Sequence, residues 1–230
     1  MIETTIGADI TSITLDRPHR RNALTPDGLD ALQAAVEECE TSVICLHGAG
    51  PAFCAGADLD VVADLGREEA AAFAEQGQRV ARAIVESPAV VIAAIDGAAR
   101  GGGVELALAC DLRVATPAAT FAETGVRLGL FGAWGGTHRL PRVVGEGNAM
   151  DLALSGRTVD AETALRMGLV SRVTDDPTEV AREVAASDPA ALERLQPLLR
   201  DRGTAAARER AEREAFADLV TRNAGTLRDG

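Results

Sequence analysis

The chain is 230 residues long, 47% hydrophobic and 25% charged, with a formal net charge of −12 from 35 acidic and 23 basic residues; every basic residue is arginine and there is no lysine. That composition belongs to an ordinary globular protein and excludes disorder, and at this length one large core, or a core with a helical appendage, suffices. An acidic balance with no basic face excludes nucleic acid as a partner.

The first periodic segment, DITSITLDRP, alternates apolar and polar residues until Pro18 stops it, and reads as a strand entering a loop. TPDGLDALQAAVEECE opens with a Thr cap, places Pro26 at the first helical position and runs apolar at helical spacing. A strand, SVICLHG, and a loop, AGPAFCAGADLD, follow, and residues 67–86 predict a long helix broken at SP. AVVIAAIDG is a continuous apolar run of the kind a strand buried on both faces shows. Beyond GAARGGG come a helix, VELALAC, and a short strand, DLRVAT; GGTHRLPRVVGEGNAMDLALSG and VDAETALRMGLVSRV then predict helices that end at glycines. From residue 177 onward PTEVAREVAAS, PAALERLQPLLRD and TAAARERAEREAFADLVTRN are successive helices with no strand signal. The alternation predicts an α/β fold, with a core over residues 1–175 and a helical C-terminal region over residues 176–230, packed on the core or on a neighbouring subunit.

No N-terminal stretch resembles a signal peptide and no run reaches the roughly 18 apolar residues needed to span a membrane, so a cytoplasmic protein without membrane contact is expected. Cys39, Cys45, Cys54 and Cys110 lack CxxC spacing and read as reduced thiols, so no metal site is expected. His19, His47 and His138 have no Ser or Cys partner at a recognisable motif, which argues against a hydrolytic triad.

Chemistry concentrates in GAARGGGVELALAC, residues 97–110. Gly101, Gly102 and Gly103 let bare backbone approach a ligand at the start of a helix whose first N–H groups are unpaired, a place that stabilises developing negative charge. A tight strand-to-helix turn would use the same glycines. The loop FCAGADL also follows a strand, and one amide from it with one from the helix terminus could form an oxyanion hole. Glu105, one turn into an otherwise apolar helix, reads as a desolvated carboxylate with its pKa raised toward the range of proton transfer; the alternatives are a solvent-facing Glu or an ion pair with an Arg.

ITLDRPHRRNAL, FCAGADL, VVIAAIDGAARGGGVELALACDLRVAT and GGTHRLPRVVG, in this order and spacing, resemble the crotonase superfamily, the enoyl-CoA hydratase/isomerase family, over about residues 10–175. The resemblance implies a spiral of ββα units, assembly into trimers or hexamers through the C-terminal helices, and an acyl-CoA thioester substrate with no cofactor beyond the coenzyme A it carries. It implies oxyanion-hole amides at Ala57 and Gly102, a water-activating glutamate at Glu105, and coenzyme A contacts from Arg20, Asn22, Ala23, Leu24, Ala55 and Leu59, much of it through backbone. Departures accompany the likeness. Where the family carries a second glutamate, FAETGVRLG places Gly125; Glu123, two residues earlier, either replaces it in the pocket or faces solvent from a loop. Trp134 stands in FGAWGGT where the family has a small residue, and TRNAGTLRDG stops short of a final helix that supplies a basic residue to coenzyme A. The resemblance thus implies an enoyl-CoA hydratase-like lyase, the alternatives being enoyl-CoA isomerisation, decarboxylation or thioester hydrolysis, or acyl-CoA binding without turnover because of Gly125.

Overall fold

Between residues 43 and 122 the strands alternate between two sheets in the computed structural model, which describes residues 1–229. β1 (Ile2–Ile6) and β2 (Ile10–Leu15) precede α1 (Pro26–Glu37), and three passes of one pattern follow. The first is β3 (Val43–Gly48), β4 (Ala52–Cys54), α2 (Leu59–Asp64) and α3 (Arg67–Glu86); the second is β5 (Val90–Ile95), β6 (Ala98–Arg100) and α4 (Gly102–Ala109). The third is β7 (Leu112–Ala115), β8 (Thr120–Ala122), α5 (Gly136–Val144) and α6 (Glu146–Ser155). β9 (Val159–Asp160), α7 (Ala161–Arg166), β10 (Arg172–Val173), α8 (Thr178–Ala185), α9 (Pro189–Arg200), α10 (Ala205–Arg222) and α11 (Thr226–Asp229) complete the chain.

The first strand of each pass enters a sheet ordered β1-β2-β3-β5-β7-β10, and the second enters a smaller sheet ordered β4-β6-β8-β9. Successive passes pair in parallel in both sheets, for example Ile92 with Leu112 in the larger and Ala99 with Phe121 in the smaller. The chain therefore advances as a spiral of ββα units. β5 is buried at every residue because it is central, with β3 and β7 beside it.

Local signals explain the helices that frame the site. Thr25 caps α1, accepting from the Gly28 N–H, and Leu29, Leu32 and Val36 fall on its buried face. In α3 Glu69 reaches back to the Gly66 N–H at 2.8 Å, and Phe73, Gly77, Val80, Ala81 and Ile84 form the buried stripe. α4 is buried all round, Glu105 included, because α3 and α5 flank it. α8 packs Val180 and Ala181 against the side chains of Val43, Val90 and Ile92 on the larger sheet. Arg200 of α9 pairs with Asp111 at 2.8 Å, while α10 buries none of its residues.

Candidate active site

The ends of three adjacent parallel strands deliver the groups of interest. β4 leads into residues 55–58, β6 into Gly101 and α4, and β8 into Glu123. Gly101 turns the chain at φ +47, a conformation that favours glycine, and its N–H donates to the Ala122 carbonyl at 3.0 Å, tying the start of α4 to the end of β8.

The two motifs either side of α1 are stitched together by backbone. Ala55 N–H donates to Arg21 O, Leu24 N–H to Gly56 O and Asp58 N–H to Leu24 O, at 2.8–2.9 Å. A Cβ on Gly56 would lie 2.8 Å from both the Arg100 carbonyl and the Gly102 nitrogen, so this loop lies against the N-terminus of α4. Ala57 and Gly102 line one chamber together, and among the described residues neither spends its N–H on another protein group. Two unengaged amides beside a helix N-terminus are what an oxyanion hole requires.

The sequence-predicted coenzyme A residues divide into two groups. Ala55 and Leu59 line this outer chamber, and Leu59 is exposed. Asn22, Ala23 and Leu24 are buried beneath it. The Asn22 side chain donates to the carbonyls of Ala49, Ala52 and Phe53, so its amide braces the loop and has no donor left for a ligand. Arg20 pairs with Asp58 at 3.1 Å and with Asp60, and Arg17, which sequence reasoning missed, meets Asp58 at 2.5 Å. Asp58 also caps α2; burial alone would push its carboxyl up, but the two arginines hold it below the usual range. The signal for Arg17 was present in the arginine run itself, but nothing local pointed that run at a carboxylate 41 residues away.

Glu105 is 1% exposed and stands where two chambers meet. Its Oε1 accepts from the Trp134 N–H at 2.9 Å and the Gly136 N–H at 2.6 Å. Desolvation raises its pKa, and these two bonds with the nearby Arg139 charge oppose the rise. Gly132 and Gly136 of the FGAWGGT segment have a reason: a Cβ on either would press on the Glu105 carboxyl. Neither amide of this clasp was anticipated from sequence.

The inner chamber, about 280 Å³, is lined by Glu105 and Glu123 and by apolar side chains including Val126, Leu140 and Met150. Among the described residues Glu123 Oε1, buried, has no hydrogen-bond partner, and desolvation, with the Glu105 charge beside it, pushes the Glu123 carboxyl up to about 8. Glu123 does not line the outer chamber of about 340 Å³ that holds Ala57 and Gly102; Glu105, Gly125, Phe131 and Gly132 belong to both. At Gly125 the space of a side chain is taken by the backbone of Leu130 and Phe131, at 3.1–3.2 Å from where a Cβ would lie. Trp134, 3% exposed, packs between α3 and α4 and forms part of the outer wall.

The arrangement thus offers a pair of amides for a carbonyl oxygen, an anchored carboxylate, and a second carboxyl that keeps its proton at neutral pH. One carboxyl bonded by two amides beside another without a partner is an arrangement suited to a base and an acid. Among the described residues no group of three or more His, Cys, Asp or Glu gathers at metal-binding distance, and no helix is long and apolar enough to cross a membrane.

Comparison with known proteins places the whole chain among relatives. The profile of the family described as enoyl-CoA hydratase/isomerase matches residues 5–219. Crotonyl-CoA hydratase of Syntrophomonas wolfei is 40% identical over 175 residues, 74% of this chain and 67% of that protein. The crystal structure of enoyl-CoA hydratase from Bacillus anthracis superposes with a TM-score of 0.90 at 32% identity, covering 96% of this chain and 91% of that one. A Thermobifida fusca structure solved in complex with CoA superposes at 0.87 and 30% identity, covering 97% and 94%.

Proposed function

The chain belongs to the enoyl-CoA hydratase/isomerase family, and from that premise we propose that it adds water across the double bond of an enoyl-CoA thioester, with Glu105 as base and Glu123 as the proton donor standing in for the residue absent at Gly125. The observation that carries this reading is the orphaned, buried Oε1 of Glu123 on the same chamber as Glu105.

The thioester oxygen sits between the Ala57 and Gly102 amides, which strengthen their hold as negative charge develops on it. Glu105, its Oε1 fixed by two amides, takes a proton from water through the other carboxylate oxygen; the hydroxyl oxygen bonds to the β-carbon and the π electrons move toward the thioester. The resulting enolate collapses, and its α-carbon takes the proton of the Glu123 carboxyl. The site returns to its starting state when Glu105 releases the proton it gained and Glu123 regains one. In this reading coenzyme A enters only as part of the substrate, bound along the backbone of residues 20–24 and 55–59, and Arg20 acts by holding the loop through Asp58 as well as by facing phosphate. We further propose a cytoplasmic homo-oligomer, a trimer or a dimer of trimers; the apolar side chains of Leu199 and Phe216 on α9 and α10, each 68% exposed, support assembly.

Hydration of crotonyl-CoA, followed by loss of absorbance of the conjugated thioester, tests the assignment. Glu105→Gln and Glu123→Gln are each expected to lower kcat by about 10²–10⁴-fold. Full activity in Glu123→Gln would remove Glu123 from the mechanism, and full activity in Glu105→Gln would sink the reading as a whole.

A further inference from the structure

Trp134 is the sole tryptophan of the chain. Its indole is packed where two helices each present a glycine: a Cβ on Gly77 of α3 would overlap the ring at Cδ1 and Nε1, and a Cβ on Gly102 of α4 would overlap it at Cζ3 and Cε3. Phe73, one turn before Gly77, meets the ring edge-on with centroids 5.9 Å apart and planes at 76°. The main chain of the same residue engages the other half of the site. Its N–H donates to Glu105 Oε1 at 2.9 Å, its carbonyl accepts from Arg139 Nη1 at 3.1 Å, and the preceding Ala133 carbonyl accepts from Gln78 Nε2 of α3 at 2.8 Å.

We infer that Trp134 is a positioning residue that holds the Gly102 amide and the Glu105 carboxylate in fixed register, the ring bearing on Gly102 while the peptide clasps Glu105. A residue that only filled space would touch the catalytic groups through its ring alone. Here one rigid side chain, wedged from α3, sets the start of α4, and one peptide fixes the carboxylate borne by the next turn of that helix. Small displacements of either group cost rate, because the oxygen held by the amides and the carbon approached by water belong to one molecule. The inference rests on the hydratase reading for its kinetic test and has a second test that does not.

In Trp134→Ala, kcat on crotonyl-CoA is expected to fall by on the order of 10²-fold while KM changes less than about threefold. Loosening the clasp withdraws hydrogen bonds from ionised Glu105, so the acidic limb of the kcat profile moves to higher pH. Trp134→Phe, which keeps an aromatic wedge, recovers most of the rate. A folded Trp134→Ala with wild-type kcat and an unmoved acidic limb overturns the inference. Independently of any variant, 295 nm excitation of the wild-type protein reads this indole alone. Titration with butyryl-CoA, which has no double bond to hydrate, should shift the emission saturably as the thioester seats against Gly102. Emission that ignores butyryl-CoA while calorimetry shows saturation also overturns it. An emission shift in a wild-type protein that hydrates no enoyl-CoA supports the geometry and counts against the hydratase reading alone.

Discussion

Glu123 sets a pH window twice over, once for rate and once for stability. The proposed role of proton donor requires it protonated, so kcat/KM is expected to fall above about pH 8, where burial and the Glu105 charge place its titration. For folding, the raised value means that the native state keeps a proton which the unfolded chain releases once the pH passes the ordinary carboxyl value of 4.5. Stability from this group is therefore complete below that value and is lost as the pH climbs toward 8. Glu123→Gln removes the loss, so the difference in unfolding free energy between variant and wild type should shift in the variant's favour from pH 4.5 to 8, by on the order of a few kcal/mol. A margin that stays flat across that range would show that Glu123 is not neutral in the fold. Glu105 contributes in the same direction, tempered by the two amides that favour its charged form.

Among the elements, the segment after β8 departs from the family pattern at Gly125. The Leu130 N–H donates to the Gly125 carbonyl at 2.9 Å and the backbone of residues 130–131 lies over Gly125, closing the place where a side chain would enter. Restoring the family residue with Gly125→Glu should cost about 1–3 kcal/mol of stability by denaturant titration, because this backbone must move, and should leave crotonyl-CoA hydration no faster than the wild type. An increase in rate would mean that the segment is free to rearrange. How the segment folds was not legible in the sequence, whereas the long elements were. α1, α3, β3 and β5 carry enough turns or apolar positions for their periodicity to speak. β4, β6 and β8 have three residues each, too few for a period, and exist because each pairs with its neighbours in the smaller sheet. β1, lacking buried positions, gave no alternation to read and is held by β2. At the site, Glu105 and the glycines were readable because a carboxylate in an apolar helix is costly wherever it lies. The Trp134 and Gly136 amides that satisfy it come from a loop and from the first residue of α5, some 30 residues on, and only the fold brings them there.

At the scale of the molecule, α10 buries none of its residues and α9 leaves Leu195 and Leu199 largely in solvent. Assembly would cover these apolar side chains. Light scattering is expected to give a trimeric or hexameric mass, and Leu199→Glu with Phe216→Glu should lower it to that of a single chain, whereas an unchanged mass would put the interface elsewhere. Because each copy carries a net charge of −12, added salt should favour assembly by screening the repulsion. The smaller sheet has a different consequence. Its three parallel strands end side by side, about 4.8 Å apart, and each end contributes its own part: β4 the loop with Ala57, β6 the helix with Gly102 and Glu105, β8 the segment with Glu123. Parts hung on separate strands can be exchanged separately. On the proposed assignment, the acid of the third strand end can be moved by two residues while the amides of the first two keep their places, so a change of reaction needs edits at a single strand end.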